Sequence, residues 1–217
     1  MNSYAVLGLG KFGMSLAENL YLSGADVLAV DRRAELVNQF SGKVTSAMIA
    51  DLVNEEEVRA LGLESVDEVI VAMGGHLEAS VMAVAIAKEL GVPRIVAKSS
   101  SETMDKILLR VGADRIVNPE TLTGKRMAKV LTSTTLLEYF DVDDNLCLIE
   151  MTPRNSWIGR SLSMLNLRRK FGINVVSVKS GSGLWKTVDP AAPIKEDDML
   201  LIAMEKSALT AEFTTAP

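Results

Sequence analysis

Apolar residues in the first part of the chain come in short unbroken runs. Between the runs lie stretches whose apolar positions recur every three or four residues. The runs predict strands at 4–7, 26–30, 44–49, 68–72, 94–97 and 115–117, and the periodic stretches predict helices at 11–23, 34–40, 54–61, 77–90 and 104–111. Strands that are apolar at successive positions, rather than at alternate ones, belong to a parallel sheet covered on both faces. The expected fold is α/β: a Rossmann-like parallel sheet with helices on both faces. Gly91, with Pro93 just beyond it, supplies a stop for the helix at 77–90, and Pro119 suits the first turn of a further helix running to about 130.

The texture changes after Ser133. Strands are expected at 136–140, 146–152, 173–179, 184–188 and 199–204, with a short helix at 161–170 and turns at 180–183 and 196–198. This is a small C-terminal α+β module, rich in β. The expected division is 1–133 for the sheet domain and 134–217 for the module, with a loose tail from 207 to 217. No internal repeat or low-complexity segment interrupts the pattern.

Composition narrows the function. The chain has 217 residues, 48% of them hydrophobic and 24% charged, which is globular and not disordered. Its formal net charge of −5 argues against nucleic acid as a partner, since a phosphate-backbone binder is normally basic. A single cysteine, Cys147, cannot build a disulfide framework and suits a reducing cytosol. The first strand begins within a few residues of Met1, so no signal peptide is expected, and the longest apolar run, 81–87, is too short to cross a bilayer. A cytoplasmic protein is expected, one that can still dock on a membrane protein.

The chemistry concentrates after the first strand, in Gly8-Leu9-Gly10-Lys11-Phe12-Gly13. The first glycine permits a tight turn, the second lets the backbone approach a pyrophosphate, and the third lets helix pack close to strand. The helix that follows offers free N–H groups and a partial positive charge to phosphates. Asp31 ends the second predicted strand, where a carboxylate accepts hydrogen bonds from both ribose hydroxyls and repels a 2′-phosphate. Arg32 and Arg33 hint at NADP, but Asp31 before them argues otherwise.

Other candidates follow other strands: Asp51 with Leu52 on the adenine side, Ala72-Met73-Gly74-Gly75 as a close-approach loop, and Lys98 within reach of phosphate. For each of these a solvated loop residue is the competing explanation. His76, the one histidine, is expected to be exposed or cap-like. Glu55-Glu56-Glu57 reads as a solvated first helical turn, and Met73, Met82 and Met104 as packing. No Ser-His-Asp set, Cys-His pair or zinc ligand cluster is apparent.

These residues resemble the RCK domain, the regulator of potassium conductance. The chain as a whole is similar to the cytosolic Ktr/Trk-type subunits of bacterial potassium uptake systems. The resemblance rests on Gly-Leu-Gly-Lys-Phe-Gly at 8–13, Asp31, Ala-Asp at 50–51 and Lys-Glu-Leu-Gly-Val-Pro at 88–93. It continues through Ala-Lys at 97–98, Val-Gly-Ala-Asp at 111–114 and Asn-Pro-Glu at 118–120.

The resemblance implies a homodimer assembling into an octameric ring on an integral-membrane potassium transporter. It implies no chemistry of the subunit's own, only a change of ring shape on binding ATP, ADP or NAD(H). Asp31 would take the ribose, Asp51 the adenine side, and the glycine loop the phosphates. Lys11 stands where the family often has Arg and would sense the terminal phosphate. Glu120 matches a carboxylate that contributes to a Mg²⁺ or Ca²⁺ site. Ala50, His76 and Glu78 depart from the family pattern, which more often has Gly, a polar amide or acid, and Gln there. Asn166, Leu167, Arg168, Asn174 and Val175 resemble a stretch that binds cyclic di-AMP between two C-terminal modules; a dimer-packing face is the alternative. An NAD-dependent oxidoreductase, or a ligand-binding regulator of another cation channel or exporter, are the competing functions. About 80 β-rich residues without a histidine are poorly suited to be the catalytic domain of the first.

Overall fold

A computed structural model of the chain describes residues 2–209. The first part alternates strand and helix: β1 (Ser3–Leu7), α1 (Lys11–Leu22), β2 (Asp26–Asp31), α2 (Ala34–Phe40), β3 (Ser46–Ile49), α3 (Glu55–Arg59), β4 (Glu68–Val71), α4 (Leu77–Glu89), β5 (Ile95–Lys98), α5 (Glu102–Val111), β6 (Arg115–Val117) and α6 (Pro119–Leu131). The six strands pair in parallel in the order β3-β2-β1-β4-β5-β6. The chain reverses direction across the sheet between β1 and β4, and that switch point is where open α/β sheets hold ligands.

Unbroken apolar strands arise because both faces are buried. Along β1 and β4, Ala5, Leu7, Val69 and Val71 point to a core shared with α3, α4 and α5, through Val58, Ala83, Val84, Ala87 and Leu108. Val6 and Ile70 point to the opposite core, with Ala17 of α1 and Val37 and Phe40 of α2. This is the period of two expected of a strand. At the rim where strands begin, carboxylates staple the backbone. Asp67 Oδ2 accepts from the Ser3 N–H at 2.8 Å, and Asp114 Oδ2 accepts from the Ile95 N–H at 2.7 Å.

The second part contains β7 (Leu136–Asp141), β8 (Leu146–Met151), α7 (Leu162–Leu165), α8 (Leu167–Phe171), β9 (Asn174–Ser180), β10 (Lys186–Thr187) and β11 (Asp198–Glu205). Its antiparallel sheet runs β10-β9-β11-β8-β7. One face carries Cys147, Ile149, Met151, Leu200, Ile202 and Met204 into a core closed by Trp157, Leu165, Leu167 and Ile173. The fold class is the expected one, a parallel Rossmann-like sheet with helices plus a smaller β-rich module.

Several elements differ from expectation. The chain divides into Met1–Thr121 and Leu122–Pro217, so the division falls inside α6 rather than near 133. A helix runs through that point, and its Val130 packs on the second core, so composition carries no mark of the change. The strand expected at 184–188 shrinks to Lys186–Thr187. A 3-10 turn at Lys206–Ala208 leads into the expected loose tail, where Ala208 and Leu209 pack on the second core; residues 210–217 lie outside the described residues.

The helix expected at 161–170 is two helices, broken at Asn166 with φ +52°. Leu165 and Leu167 are both buried in the same core, and residues two apart cannot share one face of a continuous helix. A single left-handed residue between them resolves the conflict. The Ser161 hydroxyl caps the first of the two by accepting from the Met164 N–H at 3.3 Å. Because asparagine tolerates this backbone and alanine does not, Asn166→Ala should destabilise the full chain by about 1 kcal/mol. Asn166→Gly should stay within about 0.5 kcal/mol of wild type, as measured by denaturant unfolding.

Candidate functional site

The turn from β1 to α1 is set by contacts that leave no room for side chains. Gly8 has φ +103°, and a Cβ there would lie 2.6 Å from Met73 Cγ. A Cβ on Gly13 would lie 1.9 Å from the Gly8 carbonyl oxygen. Gly8 also donates its N–H to Val30 O at 2.7 Å, and Ala72 donates to Leu7 O at 2.7 Å, so the turn is tied to strands on both sides. The first turn of α1 is capped by no side chain, which leaves its N–H groups directed outward at the switch point. Gly10 borders open space.

Beside this turn a cleft of about 450 Å³ is lined by Gly8, Asp31, Arg32, Asp51, Leu52 and Met73. The strand ends after β1, β2, β3 and β4 thus converge as the parallel topology requires. Sequence reasoning did not anticipate Val53, Leu77 and Ala79 as lining, nor Glu78 and His76 at the start of α4. His76 is exposed and its side chain does not cap α4. Glu57 closes the loop below: its Oε2 accepts from the Asp51 N–H at 2.7 Å and its Oε1 from Asn54 Nδ2 at 2.9 Å. The acidic run is the capped first turn of α3, as expected.

Asp31 is 6% exposed at the end of β2. Its carboxylate accepts from the Leu9 N–H at 2.7 Å and from Arg33, whose Nε and Nη2 each lie 3.0 Å away. Burial pushes this carboxyl up, but the hydrogen bonds from the Arg33 side chain and from the Arg33 and Leu9 backbone outweigh it and hold it below 3.8. The pairing with Arg33 was not foreseen; the one available signal was a basic residue two places after a strand-terminal carboxylate.

Lys11, Phe12, Lys98 and Glu120 stand outside the lining of that cleft. Lys98, at the end of β5, lies against Gly74, where a Cβ would be 2.9 Å from its Cε. Its Nζ sits 5.7 Å from the centre of the Phe12 ring and 2.5 Å from Glu120 Oε1. The hydrogen bond from Lys98 is the main reason the Glu120 carboxyl lies below 4.5. Glu120 is therefore an ion-pair partner first. Among the described residues no group of three or more His, Cys, Asp or Glu side chains is arranged to hold a metal. The second unit has its own groove of about 500 Å³, and Asn166, Leu167, Arg168, Asn174 and Val175 all line it, joined by Thr187, Val188 and Pro190.

Residues 4–119 match the TrkA-N domain. The chain is 36% identical over 199 residues to Ktr system potassium uptake protein C of Bacillus subtilis (strain 168), covering 92% of this chain and 90% of that protein. It is 34% identical over 203 residues to Ktr system potassium uptake protein A of the same organism, covering 94% and 91%. The crystal structure of the GsuK RCK domain matches all of this chain with a TM-score of 0.68 at 17% identity, a likeness of fold; this chain spans 48% of that one. The fold is shared with an RCK domain. The chain belongs to the TrkA-N family, among the Ktr/Trk-type proteins.

The lowered position of Asp31 has a pH consequence. A carboxyl held below its unfolded value contributes stability above pH 3.8, and that contribution is lost as the pH falls through the folded value. Thermal melts of Asp31→Asn from about pH 7 down to about pH 3 should therefore show a shallower acid limb than wild type.

Proposed function

We propose that this chain is the regulatory subunit of a membrane potassium uptake system, binding a nucleotide without transforming it. Potassium uptake comes from the two Ktr relatives, which it resembles over nearly its whole length. Nucleotide binding rests on one observation above all: a buried carboxylate at the end of β2, hydrogen-bonded to the glycine turn, facing an uncapped helix start. Fold alone does not decide function, and an oxidoreductase would need acid and base groups beside the cofactor's reacting atom. The cleft instead holds an exposed histidine at a helix start and carboxylates engaged by backbone N–H groups.

In this reading ATP, ADP or NAD(H) lays its ribose on Asp31, its base beside Arg32, Asp51 and Leu52, and its phosphates over Gly8 to Gly13. Ala72, Met73 and Gly74 form the opposite wall. ATP and ADP share the adenosine contacts, so only groups beyond them can tell the two apart. Lys11, on the first turn of α1, and Lys98 are the cations near the phosphate path. A triphosphate competes with Glu120 for Lys98, and Glu120 then either repels it or meets it through a cation. With one carboxylate and no preformed ligand set, the residues fit a Mg²⁺ or Ca²⁺ held mainly by phosphate oxygens and water. No helix among the described residues is long and apolar enough to cross a membrane, which suits attachment to the transporter's cytoplasmic side through a ring of dimers. The groove in the second unit is read as a cyclic di-AMP site, with Arg168 on a phosphate.

Saturating ATP, ADP or NADH should raise the melting temperature of the chain, by about 2.7 kcal/mol of added stability at a hundred times Kd, while Asp31→Ala should lose most of this gain. NADPH should stabilise less than NADH. Equal stabilisation of mutant and wild type would remove Asp31 from the site. The phosphate end is tested by calorimetry with ATP and ADP, with and without Mg²⁺. Glu120→Gln should bind nucleotide but lose the cation dependence, and Lys11→Ala should narrow the ATP-to-ADP affinity ratio. In the second unit, Arg168→Ala should abolish heat on titrating cyclic di-AMP into the full chain; no heat with wild type would leave a packing surface.

A further inference from the structure

A carboxylate offers four lone-pair positions, and at Asp31 all four are taken. Oδ2 accepts from the Leu9 N–H at 2.7 Å and from Arg33 Nη2 at 3.0 Å. Oδ1 accepts from the Arg33 N–H at 2.9 Å and from Arg33 Nε at 3.0 Å. Two of the donors are backbone groups, fixed by the glycine turn and by the start of α2. The other two are the guanidinium fork of a single side chain. That side chain is 57% exposed, while the carboxylate it grips is 8% exposed. The grip is firm at the buried end and open to exchange at the other.

A ribose diol presents the same chemistry as the fork: two donors, set side by side, converging on the two oxygens of one carboxylate. With the backbone donors and the fork both in place, no acceptor position remains for it. We propose that Arg33 is a built-in competitor of the ribose, holding Asp31 until a nucleotide's 2′- and 3′-hydroxyls displace the fork, and so a residue that sets affinity and ribose selectivity in this cleft. The proposal rests on the reading of Asp31 as the ribose partner. Its physical basis is that a desolvated carboxylate is costly to leave bare. Exchange of one pair of donors for another avoids that state, and net affinity is the difference between the two pairs. A ligand without the diol asks for no exchange, so its affinity is indifferent to the fork.

The competitor role makes an unusual pair of demands on one substitution. Arg33→Ala should lower the melting temperature of the nucleotide-free chain by about 2 °C, because Asp31 loses half of its donors. The same variant should bind ATP about fivefold more tightly, because the diol now fills positions that would otherwise be unsatisfied. Affinity for 2′,3′-dideoxy-ATP should stay within about twofold of wild type. Arg33→Lys, which keeps the charge but loses the fork, should fall between and serves as the probe if Arg33→Ala does not fold. Calorimetry on the full chain reads all of these. An Arg33→Ala chain that binds ATP no more tightly than wild type, or gains equally for the dideoxy analogue, overturns the competitor. If Asp31→Ala binds ATP as wild type does, or wild type does not bind it, the ribose reading fails and the competitor with it. If Asp31→Ala loses ATP while Arg33→Ala gains nothing, the site stands and the competitor alone falls.

Discussion

The contact between the first turn of α1 and the Gly8 carbonyl leaves no space for a side chain, and the rest of the site is arranged around it. A single added carbon at Gly13 would sit 1.9 Å from that oxygen. Because helix and strand meet so closely, the start of α1 lies over the ends of β1 and β4, and its free N–H groups open on the switch point of the sheet. The same close approach positions the Leu9 N–H against Asp31, across from the neighbouring strand. Turn, helix start and acidic residue thus form one rigid unit, each holding the next.

Several charged groups in this region are held within the protein. Arg33 holds Asp31, Lys98 holds Glu120, and Glu57 satisfies the Asp51 backbone. On the proposed reading, a ligand at Asp31 or Lys98 exchanges partners rather than neutralising an isolated charge. Such exchanges involve small differences between comparable terms, and small differences are what a regulatory subunit needs to respond to a modest change in ligand. The two ion pairs also differ in kind. Asp31 is the buried member of its pair and its cation is exposed, whereas Lys98 is the buried member of its pair and its carboxylate is 70% exposed.

Much of the first unit was legible because its signals are local. Apolar runs, the glycine spacing and the position of Asp31 each follow from a few neighbouring residues, and the strand order then brings Asp51 and Met73 to the same cleft. What the sequence withheld depends on three-dimensional closure. The Arg33 fork requires the backbone to turn between β2 and α2, a geometry that no single residue type announces. The break at Asn166 lies among Leu165, Leu167 and Arg168, all good helix formers, and only the shared burial of the two leucines forces it. The division inside α6 is invisible for the opposite reason: a continuous helix carries the chain across it.

The carboxylate staples at the beginning of the parallel strands have a further consequence. All six strands of the first sheet point the same way, so its two rims do different work. One rim, with Asp67 on Ser3 and Asp114 on Ile95, anchors the backbone. The other, with Gly8, Asp31 and Asp51, lines the cleft. On the proposed reading, substitutions at the anchoring rim tune how firmly the sheet is held, and those at the opposite rim tune what it recognises. Asp31 stands on both sides of that division, because its carboxylate also ties the Leu9 N–H to the end of β2, so a change of partner at this rim is felt by the fold as well.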